Sequence, residues 1–318
     1  MKYNWKITTP MYKFLEEIYI NTPLKMDRRY RYFANEFSEN TEEFVKQCMD
    51  NGFITYNNLR RCLENLKSVS FIDVLPENQR GIYGITTNDS VQVNPNLDSN
   101  RRRLYQFHEL AHKLIRVQSP VAEVIKYNRG RKERGKSALN ANNLLDGWTL
   151  LEEAIVQNIA EGCFYTSINQ PRPQQRYQQE PRVIGDKKFK TNFDFYGIYQ
   201  PLATRFARTI RGIGTGKNDS DDLILNEFSK KACNDDFIKA VTEEYTRDVG
   251  IDRLMELIEK LGKIFNEKSA TFGNSTKMIT VQETQMIWNS VIAEMIKLED
   301  YRPTVVGNTN PNFGGDNR

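Results

Sequence analysis

Phe107-His108-Glu109-Leu110-Ala111-His112 decides how this chain is read, because it sets an HExxH pattern inside a stretch with helical periodicity from about Asp98 to Ile115. Residues four apart on a helix lie ~40° apart around its axis, so His108 and His112 can aim their imidazoles at one point. Two neutral nitrogen ligands at that spacing suit a zinc ion, Zn2+. Glu109 lies near the same face, where its carboxylate reaches a metal-bound water as a general base without being a ligand. Two histidines on a helix can also be solvated or fill a core. Here, however, the chain has only 2 histidines and both fall in the motif. Leu104, Phe107, Ala111 and Leu114 add an apolar stripe, so the motif sits on an amphipathic helix.

Upstream of the motif the period changes. Val69 to Val74 reads as a short strand, and Gly81 to Thr87 and Ser90 to Asn94 read as two more, joined across the turn-favouring Asn88-Asp89. A small antiparallel sheet is expected. Asn94-Pro95-Asn96-Leu97 ends the last strand, and Asp98 or Ser99 can cap the motif helix. Arg101, Arg102 and Arg103 then place three cations in the first helical turn, where the dipole favours anions. They call for compensation by Asp98 or by carboxylates elsewhere. Further upstream, Pro10 to Leu66 reads as helical, with starts at Asn40-Thr41-Glu42-Glu43 and Thr55-Tyr56-Asn57-Asn58. Lys25, Arg28, Arg29 and Arg31, interleaved with Tyr30 and Tyr32, could stack and pair with nucleic acid, but a solvated helix face is the plainer reading.

Downstream, Lys126, Arg129, Arg131, Lys132, Arg134 and Lys136 face the single acid Glu133, and with Gly130 and Gly135 the stretch reads as an exposed loop. A third protein ligand for zinc has no further histidine and no paired thiolate to draw on, which leaves a carboxylate. Trp148 to Phe164 reads as a helix with Asp146 as its cap. One face carries Leu151, Ala154, Ile155, Asn158, Ile159 and Gly162, and another aligns Glu153, Gln157 and Glu161.

These residues carry a resemblance to the gluzincins, the HExxH zinc metallopeptidases whose third ligand is a glutamate on a later helix. Glu153-Ala154-Ile155 is similar to the third-ligand segment of the thermolysin-like members. The hairpin, Asn94-Pro95-Asn96-Leu97, arginine-rich first turn and His108-Glu109-Leu110-Ala111-His112 together resemble intracellular metallopeptidases of the ImmA/IrrE type. The resemblance implies zinc ligands at His108, His112 and Glu153, with Glu109 as general base. Glu152 is the rival ligand; Glu153 is preferred because it precedes the small Ala154 and shares a face with Gln157. Gln157 stands where the family has an acidic residue that orients a zinc-bound histidine, and its carbonyl can accept the same imidazole N–H. The resemblance also implies a side chain that stabilises the oxyanion, for which Tyr196 is the first candidate, with Tyr199 and Arg205 behind it.

Composition bounds the rest. Lys plus Arg 45 against Asp plus Glu 41 leaves +4, too mild to demand nucleic acid as a partner. The N-terminal apolar residues are broken by Lys13, Glu16 and Glu17, and no run approaches the ~18 apolar residues of a membrane span, which together suggest a cytoplasmic protein. Cys48, Cys62, Cys163 and Cys233 form no CxxC pair, which argues against a disulfide framework or a thiolate zinc site. Arg211-Gly212-Ile213-Gly214-Thr215-Gly216-Lys217-Asn218 imitates a phosphate loop but lacks its first glycine and its Ser or Thr, and reads as a linker.

The expected fold is α+β and predominantly helical, a zincin-like arrangement of a small antiparallel sheet packed against the HExxH helix and the glutamate helix. The expected regions are 1–66, N-terminal helical; 67–211, catalytic; 212–300, C-terminal helical; and 301–318, a disordered tail. The expected activity is zinc-dependent endopeptidase action on a protein or peptide substrate. The alternative is a regulatory or nucleic-acid-binding module that keeps the fold without the chemistry.

Overall fold

The computed structural model describes residues 33–67, 71–74, 83–87, 90–115, 120–172, 182–184, 187–189, 204, 221–234, 252, 254–256 and 258–263. Helix α1 (Phe33–Asp50) buries Phe37, Phe44, Val45 and Cys48, a stripe at helical spacing. It runs straight through Asn40 and Thr41, where the sequence suggests a start. The Thr41 hydroxyl donates to the Phe37 carbonyl at 2.8 Å, and the Asn40 amide is used by a neighbouring helix instead of capping its own. Gly52, at φ +76°, reverses the chain after α1 so that Phe53 N–H reaches the Cys48 carbonyl at 2.8 Å. Phe53 and Ile54 thereby enter the core. Helix α2 (Leu59–Lys67) begins just after Thr55 to Asn58, where Asn58 Oδ1 accepts from Thr55 N–H at 2.6 Å.

Strands β1 (Phe71–Val74), β2 (Gly84–Thr86) and β3 (Ser90–Val93) form one sheet in the order β1-β3-β2. The β2/β3 pair is antiparallel, as the alternation predicts, with Gly84 opposite Val93 and Thr86 opposite Val91. The Asn88-Asp89 turn lies outside the described residues; its ends are tied by Thr87 N–H to the Ser90 carbonyl at 2.9 Å. Strand β1 joins the far side of β3 in parallel, a pairing that alternation alone does not specify.

Helix α3 (Ser99–Leu114) is the element on which β2, β3, α1, α2 and α5 converge. Asp98 caps it, its side chain accepting from Arg101 N–H at 3.0 Å. The three first-turn arginines are spent on packing. Arg101 approaches Asp98 at 3.5 Å, Arg102 makes a two-pronged pair with Glu36 of α1 at 2.9 and 3.0 Å, and Arg103 donates to Asn40 at 2.9 Å. Gln106, fully buried, adds bonds to the Phe37 carbonyl and the Thr41 hydroxyl. Apolar contact completes the seam, with Phe44 and Phe107 ring centroids 5.3 Å apart. Of the expected stripe, Phe107, Ala111 and Leu114 are fully buried and Leu104 is partly so.

Only the end of the basic stretch is a loop. Helix α4 (Pro120–Glu133) contains Gly130 in its interior, and residues 134–140 form a turn and a mostly exposed loop before the next helix. Counter-charges explain the correction: Tyr127 donates to Asp252 at 2.6 Å, Arg131 reaches Glu256 at 3.3 Å, and Arg134 and Lys136 also pair with Asp252. Helix α5 (Ala141–Ser167) starts earlier than expected, capped by Asn140, which accepts from Asn143 N–H at 3.1 Å. Gly147 and Gly262 let α5 and the helical residues 258–263 meet backbone to backbone; a Cβ at either would strike the Ile258 or Asn143 carbonyl.

Strands β4 (Arg182–Ile184) and β5 (Lys187–Phe189) pair antiparallel, with Arg182 opposite Phe189. Helix α6 (Asp221–Asn234) matches expectation and packs on α5. No described helix is long and apolar enough to cross a membrane. Residues 201–211 and 281–298 also read as helical in the sequence, but they fall outside the described residues apart from helical Thr204.

Candidate metal centre

Helix α3 presents His108 and His112 one turn apart, their ring centroids 5.0 Å from each other and the rings nearly perpendicular. Helix α5 crosses α3 so that Glu153 lies against both. Glu153 Oε2 is 3.3 Å from His108 Nε2, and Oε1 is 3.6 Å from His112 Nε2. Ligand atoms of His108, His112 and Glu153 all lie within 4.8 Å of one another, a group able to hold a metal ion.

The opposite edge of each ring is fixed by a second group. His108 Nδ1 meets Gln157 Oε1 at 2.8 Å, and Gln157 in turn donates through Nε2 to Glu161 at 2.9 Å. An amide oxygen only accepts, so His108 carries its proton on Nδ1 and turns the Nε2 lone pair toward Glu153. His112 Nδ1 meets Glu152 Oε1 at 3.2 Å. Glu152, the rival third ligand, therefore holds the outer edge of the ring while Glu153 approaches the inner edge. The split follows from helix geometry, because adjacent residues point ~100° apart.

The donor set fits a cation. Glu153 Oε2 is buried and accepts no hydrogen bond among the described residues, and its near neighbour is an imidazole nitrogen that presents a lone pair. Two acceptors 3.3 Å apart repel unless positive charge lies between them. The electrostatics agree. Burial works against a charged His112, but the Glu152 hydrogen bond and the charges of Glu153, Glu152 and Glu109 outweigh it and lift its pKa to about 9. Burial likewise opposes ionisation of Glu153, yet the His108 contact and the charge of His112 hold its pKa below the usual carboxylate value.

Glu109, 6 % exposed, lies against the sheet. The Thr86 hydroxyl lies 2.5 Å from its Oε2 and 3.0 Å from its backbone carbonyl. Its carboxylate rests on the backbone of β2 at Gly84, where an added Cβ would come within 2.6 Å of Oε1. The structure thus brings His108, His112, Glu109 and Glu153 to one place, beside the edge strand β2. Tyr196, Tyr199 and Arg205 lie outside the described residues. Sequence reasoning missed Thr86, Gly84 and the positioning role of Glu152. Only the alternation in β2 hinted that Thr86 and Gly84 share one face.

Comparison with protein-family models, with curated proteins and with solved structures finds no match to this chain. What can be said of the site rests on its own atoms: a mostly helical protein with a His108/His112/Glu153 group able to hold a metal ion.

Proposed function

We propose that the chain is a zinc-dependent endopeptidase acting on a protein or peptide substrate. The observation that carries this reading is the buried Glu153 oxygen facing the His108 lone pair at 3.3 Å, with a glutamate that is not part of the ligand group held beside it. Two imidazoles and one carboxylate are a donor set used by catalytic zinc, which keeps a coordination position open. A zinc ion bound there supplies Lewis acidity to water and to the substrate carbonyl.

The chain's own residues supply the rest. Glu109 takes the proton of the attacking water and delivers it to the departing amine. Thr86 and the Gly84 backbone hold that carboxylate in one orientation. Gln157 and Glu152 keep both imidazoles in the tautomer that presents Nε2 to the ion. Strand β2 lies at the edge of its sheet, so an extended peptide added along it would pass Glu109. Tyr196 is proposed as the oxyanion partner, which Tyr196→Phe tests through a loss in kcat.

Glu109→Gln tests the whole reading when cleavage of a protein substrate and metal content are measured on the same preparation. Metal retained with cleavage lost supports a peptidase. Unchanged cleavage, or biological activity intact in the variant, removes it.

A further inference from the structure

The two imidazoles of the metal group are held at their outer edges by chemically different partners. His112 Nδ1 faces Glu152, a carboxylate, at 3.2 Å, whereas His108 Nδ1 faces the amide oxygen of Gln157 at 2.8 Å. A carboxylate accepts at either oxygen, so it holds a ring N–H whichever way it is turned. A carboxamide has two ends of nearly the same shape and opposite hydrogen-bonding sense. Turned over, Gln157 would offer N–H groups to His108 Nδ1. That nitrogen would then keep its lone pair, and the ring proton would sit on Nε2, the atom 3.3 Å from Glu153. His108 would have no lone pair left to give a metal ion.

Glu161 removes this ambiguity. Residues 153, 157 and 161 recur every fourth position along α5, which stacks their side chains on one face. Gln157 Nε2 donates to Glu161 Oε1 at 2.9 Å. An ionised carboxylate only accepts, so the NH2 end of the amide must meet it, and the oxygen end is left for His108. Gln157 and His108 are 7 % and 2 % exposed, so water does not readily replace either partner. The direction of the whole chain of hydrogen bonds is therefore set at its outer end, by a residue that does not touch the ligand group.

We propose that Glu161 is a positioning residue of the metal centre: by fixing which end of the Gln157 amide faces His108, it fixes which imidazole nitrogen is open to a divalent ion of the zinc class. The inference rests on His108 being a ligand, as the proposed function has it, and not on peptide cleavage. His112 needs no such third residue, because the carboxylate of Glu152 accepts in either orientation.

The test measures zinc affinity by chelator competition and the His108 Nδ1–H signal by proton–nitrogen NMR on the zinc-loaded full chain. Glu161→Met and Glu161→Gln remove the same charge, but only the second keeps an oxygen that can accept from Gln157. Glu161→Met is expected to weaken zinc binding by about tenfold, the lower end of the range for outer-shell partners, and to shift or broaden the Nδ1–H signal. Glu161→Gln is expected to keep most of the affinity and the signal. In a chain carrying Gln157→Glu the partner of His108 accepts at both oxygens, so adding Glu161→Met there is expected to cost nothing. Equal losses from Glu161→Met and Glu161→Gln, or the same loss with and without Gln157→Glu, would show that position 161 acts through its charge or through folding, and overturn the proposal. A chain that binds no zinc overturns it together with the metal reading. The expected pattern in a chain that cleaves no peptide supports the positioning role and removes the peptidase reading alone.

Discussion

Glu152 and His112 face each other at 3.2 Å through Oε1 and Nδ1, leaving the Nε2 edge of the same ring to Glu153 at 3.6 Å. Neighbouring carboxylates thus serve opposite edges of one imidazole. Removing the charge of each is expected to have unequal effects: Glu153→Gln removes a ligand, while Glu152→Gln leaves an amide oxygen that still accepts from Nδ1. In a zinc competition titration, Glu152→Gln weakens binding by no more than about 10- to 100-fold, the range for outer-shell partners, and Glu153→Gln weakens it far more. Equal losses would contradict the assignment.

Gly84→Ala tests the seat of Glu109. The new Cβ would meet Oε1 at 2.6 Å and Cγ at 2.8 Å, so the carboxylate must leave the β2 backbone. Peptide cleavage is expected to fall by about 100-fold, as displacements of about 1 Å at a reacting group do. Metal content should be unchanged, since Gly84 touches none of the three ligands. Cleavage at the original rate would mean that Glu109 is not held in a productive position.

Acid stability should depend on Asp252. Hydrogen bonds from Lys136 and Tyr127 outweigh burial and, with the charges of Lys136 and Arg134, bring its pKa from 3.8 to about 2. A depressed carboxylate pKa stabilises the fold above the unfolded value and loses that contribution as pH falls through the folded value. The urea midpoint of the original chain should therefore exceed that of Asp252→Asn by a constant margin above pH ~4, and the margin should close toward pH ~2. A margin independent of pH across that window would show that the clasp between α4 and the 252–263 segment is not ionic.

Much of the site was legible because its ligands sit on helices whose period is visible in the sequence. His108 and His112 share a turn, and Glu153, Gln157 and Glu161 recur on one face of α5, so the two helices could be marked before their crossing was known. The choice between Glu152 and Glu153 turns on which way α5 is rotated against α3, a packing fact with no local signature. Thr86 and Gly84 depend on the register of β2 against α3, which is equally long-range. The stretch at 126–136 misled because unpaired cations and glycine resemble a solvated loop; their partners, Asp252 and Glu256, lie over a hundred residues away.

The central claim is that positive charge belongs between His108 Nε2 and Glu153 Oε2. Anomalous diffraction at the zinc absorption edge, from crystals of the chain grown with zinc, tests it directly. The expected result is a peak within ~2.0–2.2 Å of His108 Nε2, His112 Nε2 and a Glu153 oxygen, with Glu109 outside that distance. Zinc-grown crystals with no peak there, and Glu153 bonded to a protonated imidazole instead, would contradict it.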